Sequence, residues 1–287
     1  MSTAEAAQQK TSRAGRNLPA AVGVGLSLIA VVGVGLIWLP WLFIVFAAVA
    51  LGAAVIEVHR ALLRKAMQAV WAPIAVGTVV SVLGGYFVSV QDVGIEDTTF
   101  VVICLCGMLI ASLVGRLFGG AEGFIRDISA SALLIAYIPL LGVFVPLLMG
   151  ASDGNLRMLA IIVVVAASDT GAYATGVLFG RHKMAPAISP SKTWEGTGGG
   201  VALSAIVGTV LSVYLLGGPW WVGAILGVLC SLAGTTGDLV ESLIKRDAGI
   251  KDMSNFLPGH GGVMDRLDSM LVAVPVGWLV LHLALGG

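Results

Sequence analysis

The sequence predicts an all-α, polytopic membrane protein with about nine transmembrane helices. Hydrophobic residues make up 57% of the 287 residues, and the mean hydropathy is +0.98. Only 11% of the residues are charged, against roughly 25% in an ordinary soluble domain. The apolar residues form runs of about 20, the length that a helix needs to cross a bilayer. These features exclude a soluble globular enzyme, a disordered protein and a secreted disulfide scaffold.

Nine apolar runs predict the individual helices. They lie at about 18–37, 39–58, 70–90, 99–118, 127–149, 156–180, 198–217, 220–245 and 267–285. Such runs are too long for the strands of a membrane barrel. The first two runs form one apolar stretch from Leu18 to Ile56, much longer than the roughly 7–15-residue core of a signal peptide. We therefore expect two retained helices joined by a tight turn near Pro40.

The basic residues indicate how these helices are oriented. With nine helices, 15 of the 16 Lys and Arg residues fall on the side of the N-terminal tail, and only Arg157 falls on the other side. Cytoplasmic loops carry an excess of Lys and Arg. We therefore expect a cytoplasmic N-terminus and a polar site that faces the cytoplasm.

The sequence divides into three parts. Residues 1–17 are a cytoplasmic N-terminal tail, 18–150 hold about five helices, and 151–287 hold about four helices with polar loops at 181–197 and 246–266. The net charge of zero gives no field that would attract nucleic acid, so nucleic acid is not an expected partner. The three cysteines lie in apolar runs and are interpreted as small buried residues.

Ionisable residues within predicted membrane helices are costly and so indicate function. In the eighth predicted helix, Asp238, Glu241 and Lys245 share one face, at positions i, i+3 and i+7. Two carboxylates and a cation on one intramembrane face favour a site over simple packing. In the sixth, Asp169 and Tyr173 are four residues apart; a buried Asp169 that is hydrogen-bonded to hydroxyl groups is the structural alternative.

The segment after the eighth helix combines cations that can bind phosphate with carboxylates that can bind a metal. The cations are Lys245, Arg246, Lys251 and Arg266, and the carboxylates are Asp252, Asp265 and Asp268. Between them, residues 258–262 form a flexible turn whose N–H groups can approach an anion. Carboxylates with few histidines and no cysteine nearby suit Mg²⁺ rather than zinc.

The loop between the sixth and seventh helices is a second candidate for phosphate binding. Lys192 and Thr193 are flanked there by serine and glycine residues. No Walker loop is present, because the Gly-x4-Gly-Lys-[Ser/Thr] pattern is missing. Cations and paired carboxylates at the cytoplasmic surface together predict phosphoryl-type chemistry.

These motifs resemble those of the phosphatidate cytidylyltransferase (CDP-diacylglycerol synthase) family. The pattern from Ser242 through Lys245-Arg246 and Lys251-Asp252 to 258–268 matches over roughly 28 residues with its spacing intact. Residues 189–196 are similar to a second family element, and Asp169-x-x-Ala172-Tyr173 resembles a third. All three lie in the second half of the chain.

The resemblance implies the reaction CTP + phosphatidate → CDP-diacylglycerol + pyrophosphate, carried out with Mg²⁺ by a homodimer in the cell inner (plasma) membrane. It implies Asp238 and Asp265 as metal ligands, with a second, monovalent cation such as K⁺ nearby. The expected catalytic residues are Asp238, Asp265, Lys245, His260 and Asp268. The expected substrate-binding residues are Ser189, Lys192, Thr193, Glu195, Arg246, Lys251, Asp252, Gly261, Gly262, Arg266, Asp169 and Tyr173.

The sequence leaves two alternative functions open. A CDP-alcohol phosphotransferase would also use metal-bound aspartates, but its Asp-Gly-x-x-Ala-Arg pattern is missing from this sequence. A secondary transporter would suit glycine-rich helices with acidic residues, but no internal repeat is visible and the charges lie on one face. Release of pyrophosphate distinguishes the cytidylyltransferase from the phosphotransferase.

Overall fold

The computed structural model describes residues 18–91, 93–257 and 259–286, and most of these residues are helical. The helices are α1 (Leu18–Ile37), α2 (Pro40–Leu63), α3 (Trp71–Val90), α4 (Asp97–Leu117), α5 (Phe124–Tyr137), α6 (Pro139–Gly142), α7 (Phe144–Met149), α8 (Gly154–Phe179), α9 (Trp194–Tyr214), α10 (Trp220–Asp247) and α11 (Met264–Leu285). Strands β1 (Lys183–Ala185) and β2 (Ser189–Thr193) lie between α8 and α9.

Eight segments in the described ranges are long and apolar enough to cross a membrane. They are α2, α3, α4, the stretch Phe124–Met149, α8, α9, α10 and α11. In α1 the apolar stretch Val22–Ile37 is shorter than this. The all-α, polytopic membrane class is thereby confirmed, whereas the ninth span stays a prediction.

Prolines explain where two helices begin or break. Pro40 occupies the first turn of α2, where its missing N–H costs nothing, so the predicted turn near this residue is confirmed. The sequence predicted one helix over 127–149, but the structure interrupts it after Tyr137. Pro139 cannot donate the N–H that a continuous helix would need and clashes with the preceding turn, so the chain continues as α6 and α7.

Small residues bring the helices of the second half close together. α9 packs between α8 and α10, and α10 packs against α11. Gly208 faces Gly223 across α9 and α10 so closely that neither has room for a Cβ atom. The buried Ser168 and Ser231 hydroxyls, 2.6 Å apart, connect α8 to α10. These contacts fix α10, which carries several of the predicted site residues.

The predicted loop 181–197 contains a β-hairpin, which no pattern in the sequence indicated. β1 and β2 are antiparallel, with Lys183 opposite Thr193 and Ala185 opposite Ser189. Thr193 then caps α9 by accepting a hydrogen bond from the Gly196 N–H (3.1 Å). The seventh predicted helix therefore begins at Trp194 rather than near 198.

Candidate active site

Three carboxylates meet between α10 and α11. Asp238 and Glu241 lie one turn apart on α10, and Asp268 lies near the start of α11. One carboxylate oxygen from each of the three lies within 4.8 Å of the other two. We call Asp238, Glu241 and Asp268 the acidic cluster.

The members of the acidic cluster differ in exposure and in partners. Glu241 is fully buried; its Oε2 forms an ion pair with Lys245, and its Oε1 has no hydrogen-bond donor among the described residues. Asp238 is about one third exposed, and its Oδ2 lies 2.6 Å from Lys192 Nζ. Asp268 Oδ1 accepts a hydrogen bond from the adjacent Ser269 N–H (2.7 Å).

Asp265 lies beside the cluster, in side-chain contact with Glu241, and is also held by groups outside the cluster. Its Oδ1 is 2.8 Å from Lys245 Nζ. Its Oδ2 accepts hydrogen bonds from the N–H groups of Gly262 (2.7 Å) and Met253 (3.0 Å). Lys245 thus lies between Glu241 and Asp265. The predicted role of Asp265 as a metal ligand stays a prediction.

The donor set at the acidic cluster fits a hard divalent cation. The cluster and Asp265 together contribute four carboxylates, but only two lysines form ion pairs with them, and Asp268 has no ion pair within 4.0 Å in the described ranges. Mg²⁺ prefers carboxylate oxygens. A buried carboxylate oxygen without a partner is costly, so a cation at Glu241 Oε1 would relieve that cost.

The hairpin places Lys192 against the cluster. Lys192 Nζ also donates to the carbonyl of Thr235 on α10 (3.4 Å). Ser189 begins the same strand. Glu195 contacts His182, whose Nδ1 lies 2.5 Å from the Glu195 Oε1. Glu195 also accepts hydrogen bonds from the N–H groups of Arg181 and His182, so in this structure it holds the hairpin to α9.

The loop between α10 and α11 presents its other predicted residues at two polar pockets. Lys251 and Asp252 line one of 390 Å³, together with Arg60 of α2 and Arg64, which directly follows that helix. The second, of 620 Å³, is lined by Asp252, Asn255, Leu257, Gly259, His260, Gly261 and Arg266. No member of the acidic cluster lines either pocket.

Two predicted residues of this region have mainly local roles in the structure. Arg246 donates to the carbonyl of Ile188 (3.3 Å) and so connects α10 to the hairpin. Gly261 has φ +81°, and a Cβ atom there would lie 2.8 Å from Asp265 Oδ2, so glycine is required at this position. Pro258, which belongs to the same motif, lies outside the described residues.

The residues predicted on α8 divide between the site and the exterior. The Asp169 carboxylate interacts electrostatically with Lys192 and Asp238, which places it near the cluster. Tyr173, one turn later, is 76% exposed. The sequence predicted both on one polar face, but in the structure only Asp169 is connected to the cluster.

Two further residues near the site were missed by the sequence analysis. Glu57 of α2 is 5% exposed and accepts three hydrogen bonds from residues 254–264. Tyr137, at the end of α5, has a buried hydroxyl without a hydrogen-bond partner among the described residues and interacts electrostatically with all three cluster acids. For Glu57, the available signal in the sequence was a single acidic residue within an apolar run. For Tyr137, the signal was the nearby Pro139, which predicts the end of a helix.

Comparison with known proteins identifies close relatives over nearly the whole chain. Residues 19–284 match the model of the cytidylyltransferase family. A phosphatidate cytidylyltransferase of Mycobacterium leprae is 39% identical over 284 residues, covering 96% of this chain and 91% of the relative. One from Mycobacterium bovis is 38% identical over 279 residues, with the same two coverages. One from Staphylococcus saprophyticus is 44% identical over 126 residues, covering 44% of this chain and 48% of that protein.

Proposed function

The chain belongs to the cytidylyltransferase family, and we propose that it transfers the cytidylyl group of CTP to phosphatidate. The products are CDP-diacylglycerol and pyrophosphate. The observation that carries the proposal is the acidic cluster, flanked by Lys192 and Lys245. This arrangement suits a reaction between two phosphate groups, because both anions need neutralisation at one place.

The reaction needs positioning more than proton removal. An oxygen of the phosphatidate monoester attacks the α-phosphorus of CTP, a new P–O bond forms, and the bond to the β-phosphate breaks, its electron pair leaving with pyrophosphate. The second pKa of a phosphate monoester is about 6, so the nucleophile is mostly dianionic at pH 7. The protein then supplies orientation and charge compensation, as in other phosphoryl transfers.

The chain's own residues divide this work. Lys192 and Lys245 can contact the phosphates at the cluster, while Asp265 holds Lys245 in place. Asp238, Glu241 and Asp268 would hold Mg²⁺, which when bound would offset negative charge on the phosphates. Direct ligation by Asp265, and a monovalent cation such as K⁺ beside the Mg²⁺, are the additional arrangements that the family resemblance implies.

An apolar cleft suits the acyl chains of the lipid. It has a volume of 410 Å³, within the range of ligand pockets, and lies between α1, α2, α8 and α11. Arg266 is the only charged residue that lines it in the described ranges. Arg266 and Leu257 also line the 620 Å³ polar pocket. An apolar cleft that meets a polar pocket at one cation matches a lipid with an anionic headgroup.

The orientation and assembly of the protein are further parts of the proposal. We place it in the inner (plasma) membrane as a homodimer, with nine spans, a cytoplasmic N-terminus and the active site facing the cytoplasm. The positive-inside count of the sequence supports this orientation, and CTP is available on that side. Residues 18–150 then hold the first five spans, and 151–287 form the catalytic region.

The decisive experiment uses purified protein in detergent with labelled CTP, phosphatidate and Mg²⁺. We expect a labelled liponucleotide and one equivalent of pyrophosphate. Liponucleotide formed without pyrophosphate would contradict the cytidylyltransferase reaction. Formation in detergent, where no gradient exists, would rule out transport as the sole activity, and failure to form product in any lipid and metal condition would overturn the proposal.

A further inference from the structure

We propose that Glu57 is a positioning residue of the active site. It lies on α2, in the half of the chain that carries none of the family motifs, and only 5% of it is exposed. In this role it fixes the start of α11 and, through it, the carboxylates of Asp265 and Asp268. The catalytic part of this inference rests on the proposed function.

Three donors converge on the Glu57 carboxylate. Oε1 accepts hydrogen bonds from Ser254 Oγ (2.6 Å) and the Val263 N–H (3.0 Å). Oε2 accepts one from the Met264 N–H (2.8 Å). The last two are backbone groups at the N-terminus of α11, which has no partner for them within the helix. Glu57 therefore supplies, from a distant helix, acceptors for backbone donors that α11 itself cannot satisfy.

Gly262 shows how closely Glu57 approaches this turn. A Cβ atom at Gly262 would lie 2.6 Å from Glu57 Oε2, so a larger residue would displace the carboxylate. The N–H of the same glycine donates to Asp265 Oδ2 (2.7 Å). The backbone from 262 to 264 is thus held by Glu57 on one side and by Asp265 on the other.

The charge of Glu57 is compensated by dipoles rather than by a cation. Among the described residues no Lys, Arg or His lies within ion-pair distance of it. The helix N-terminus provides partial positive charge, and hydrogen bonds to a charged acceptor are stronger than neutral ones. A glutamine at this position has a single acceptor oxygen and cannot satisfy all three donors.

A short series of contacts connects Glu57 and the start of α11 to the acidic cluster. Asp265, one residue after Met264, pairs with Lys245, and Lys245 pairs with Glu241. Asp268 lies one turn further along α11. A shift in the start of α11 would therefore move Asp265 and Asp268 relative to the carboxylates of α10.

The test compares the full chain with Glu57→Gln, Glu57→Asp and a matched control, Asp127→Asn. Asp127 is also buried and also accepts a backbone hydrogen bond, but it lies on α5, and its carboxylate accepts from Gln68, Arg116 and Arg126. Hydrogen–deuterium exchange of the segment 252–266 is measured first. We expect faster exchange in Glu57→Gln, partial restoration in Glu57→Asp, and exchange like wild type in Asp127→Asn.

Turnover is then measured as a function of Mg²⁺ concentration. Groups that orient metal ligands usually affect metal affinity or activity about 10- to 100-fold, so we expect kcat of Glu57→Gln to fall by that factor and the half-saturating Mg²⁺ concentration to rise. A lowered melting temperature with wild-type exchange and wild-type Mg²⁺ dependence would overturn the inference. If wild type itself makes no liponucleotide, the proposed function fails, while the exchange measurement still tests the position of α11.

A milder variant covers the case in which Glu57→Gln does not fold. Ser254→Ala removes one of the three donors and leaves the carboxylate in place. It also removes the acceptor of the Phe256 N–H (3.1 Å), so exchange is compared only over 262–266. A smaller change of the same sign in exchange of 262–266 and in Mg²⁺ dependence would support the role of Glu57. No change in either would contradict it.

Discussion

Asp127 in the first half of the chain is surrounded by donors, whereas the acidic cluster in the second half has more carboxylates than cations. The single carboxylate of Asp127 accepts hydrogen bonds from Arg116 and Arg126, each at 3.1 Å, and from the Gln68 N–H at 2.9 Å. In the second half, four carboxylates share two lysines. The carboxylate of Asp127 has its donors within the protein, whereas the acidic cluster would be completed by the cation that we propose. Burial of an acid therefore does not by itself indicate function; the balance of charge around it does.

The substitution Asp268→Asn gives the largest expected loss of activity. It removes the cluster carboxylate that has no cationic partner in the described ranges, so a bound cation would lose a ligand and no internal ion pair would break. We expect kcat to fall about 10²- to 10³-fold, as for other losses of transition-state charge stabilisation. The assay is CTP-dependent liponucleotide formation across a Mg²⁺ series, and activity within a fewfold of wild type would remove Asp268 from the site.

Lys192→Ala should have the next largest effect. Lys192 is the cation that the hairpin brings to Asp238, and a hydrogen bond to a charged group contributes about 1.5–3 kcal/mol. We expect kcat/KM for CTP to fall about 10- to 100-fold. Lys183→Ala, an exposed change in the same hairpin, is the matched control and should leave both kinetic constants unchanged. Equal effects of the two variants would assign the loss to the hairpin fold.

Ala47→Phe tests whether the first half also contributes to the substrate site. Ala47 lines the apolar cleft, and the larger ring would exclude about two methylene groups, each contributing about 0.8 kcal/mol. We expect KM to rise about tenfold for long-chain phosphatidate and to stay unchanged for a short-chain form and for CTP. Val102→Phe, at a 56% exposed position of α4, is the control; the same KM change for both chain lengths would contradict an acyl-chain site.

Asp127→Asn should have the smallest effect on activity. Breaking a buried ion pair by removing one partner typically costs about 3–5 kcal/mol of stability, so a lower melting temperature is expected. The kcat of the folded fraction and its Mg²⁺ dependence should match those of wild type, because Asp127 contacts no residue of the acidic cluster. A change in Mg²⁺ dependence would show that Asp127 is coupled to the acidic cluster, and would contradict the view that only the cluster serves the reaction.

Hydropathy predicted most of the fold because each helix that crosses a membrane needs about 20 predominantly apolar residues. The spans α3, α8 and α10 lie within a few residues of their predicted positions. The hairpin was missed because β1 has only three residues, and β2 is polar throughout and contains Pro190, so neither shows the alternation typical of strands. The break after Tyr137 was not predicted, because a proline inside an apolar run hardly changes the mean hydropathy of that run.

The site was predicted in part, for a related reason. Asp238 and Lys245 lie on one helix, so their spacing alone placed them on one face. The relation between Asp265 and Lys245 depends on how α10 packs against α11, which spacing does not determine. Glu57 could not be assigned a partner from the sequence, since its acceptor atoms meet donors about 200 positions later in the chain.

That long separation has a consequence for how the protein is made. Synthesis at roughly 5–20 residues per second delivers Glu57 to the membrane about 10 to 40 s before Met264, which follows 207 residues later. During that interval the Glu57 carboxylate has none of its native donors. It must therefore remain hydrated in the headgroup region or form a transient hydrogen bond with another group. The native contacts of Glu57 therefore form only after α11 has been synthesised. A chain truncated before α11 would keep a buried carboxylate without its native donors, and we expect such a chain to be degraded.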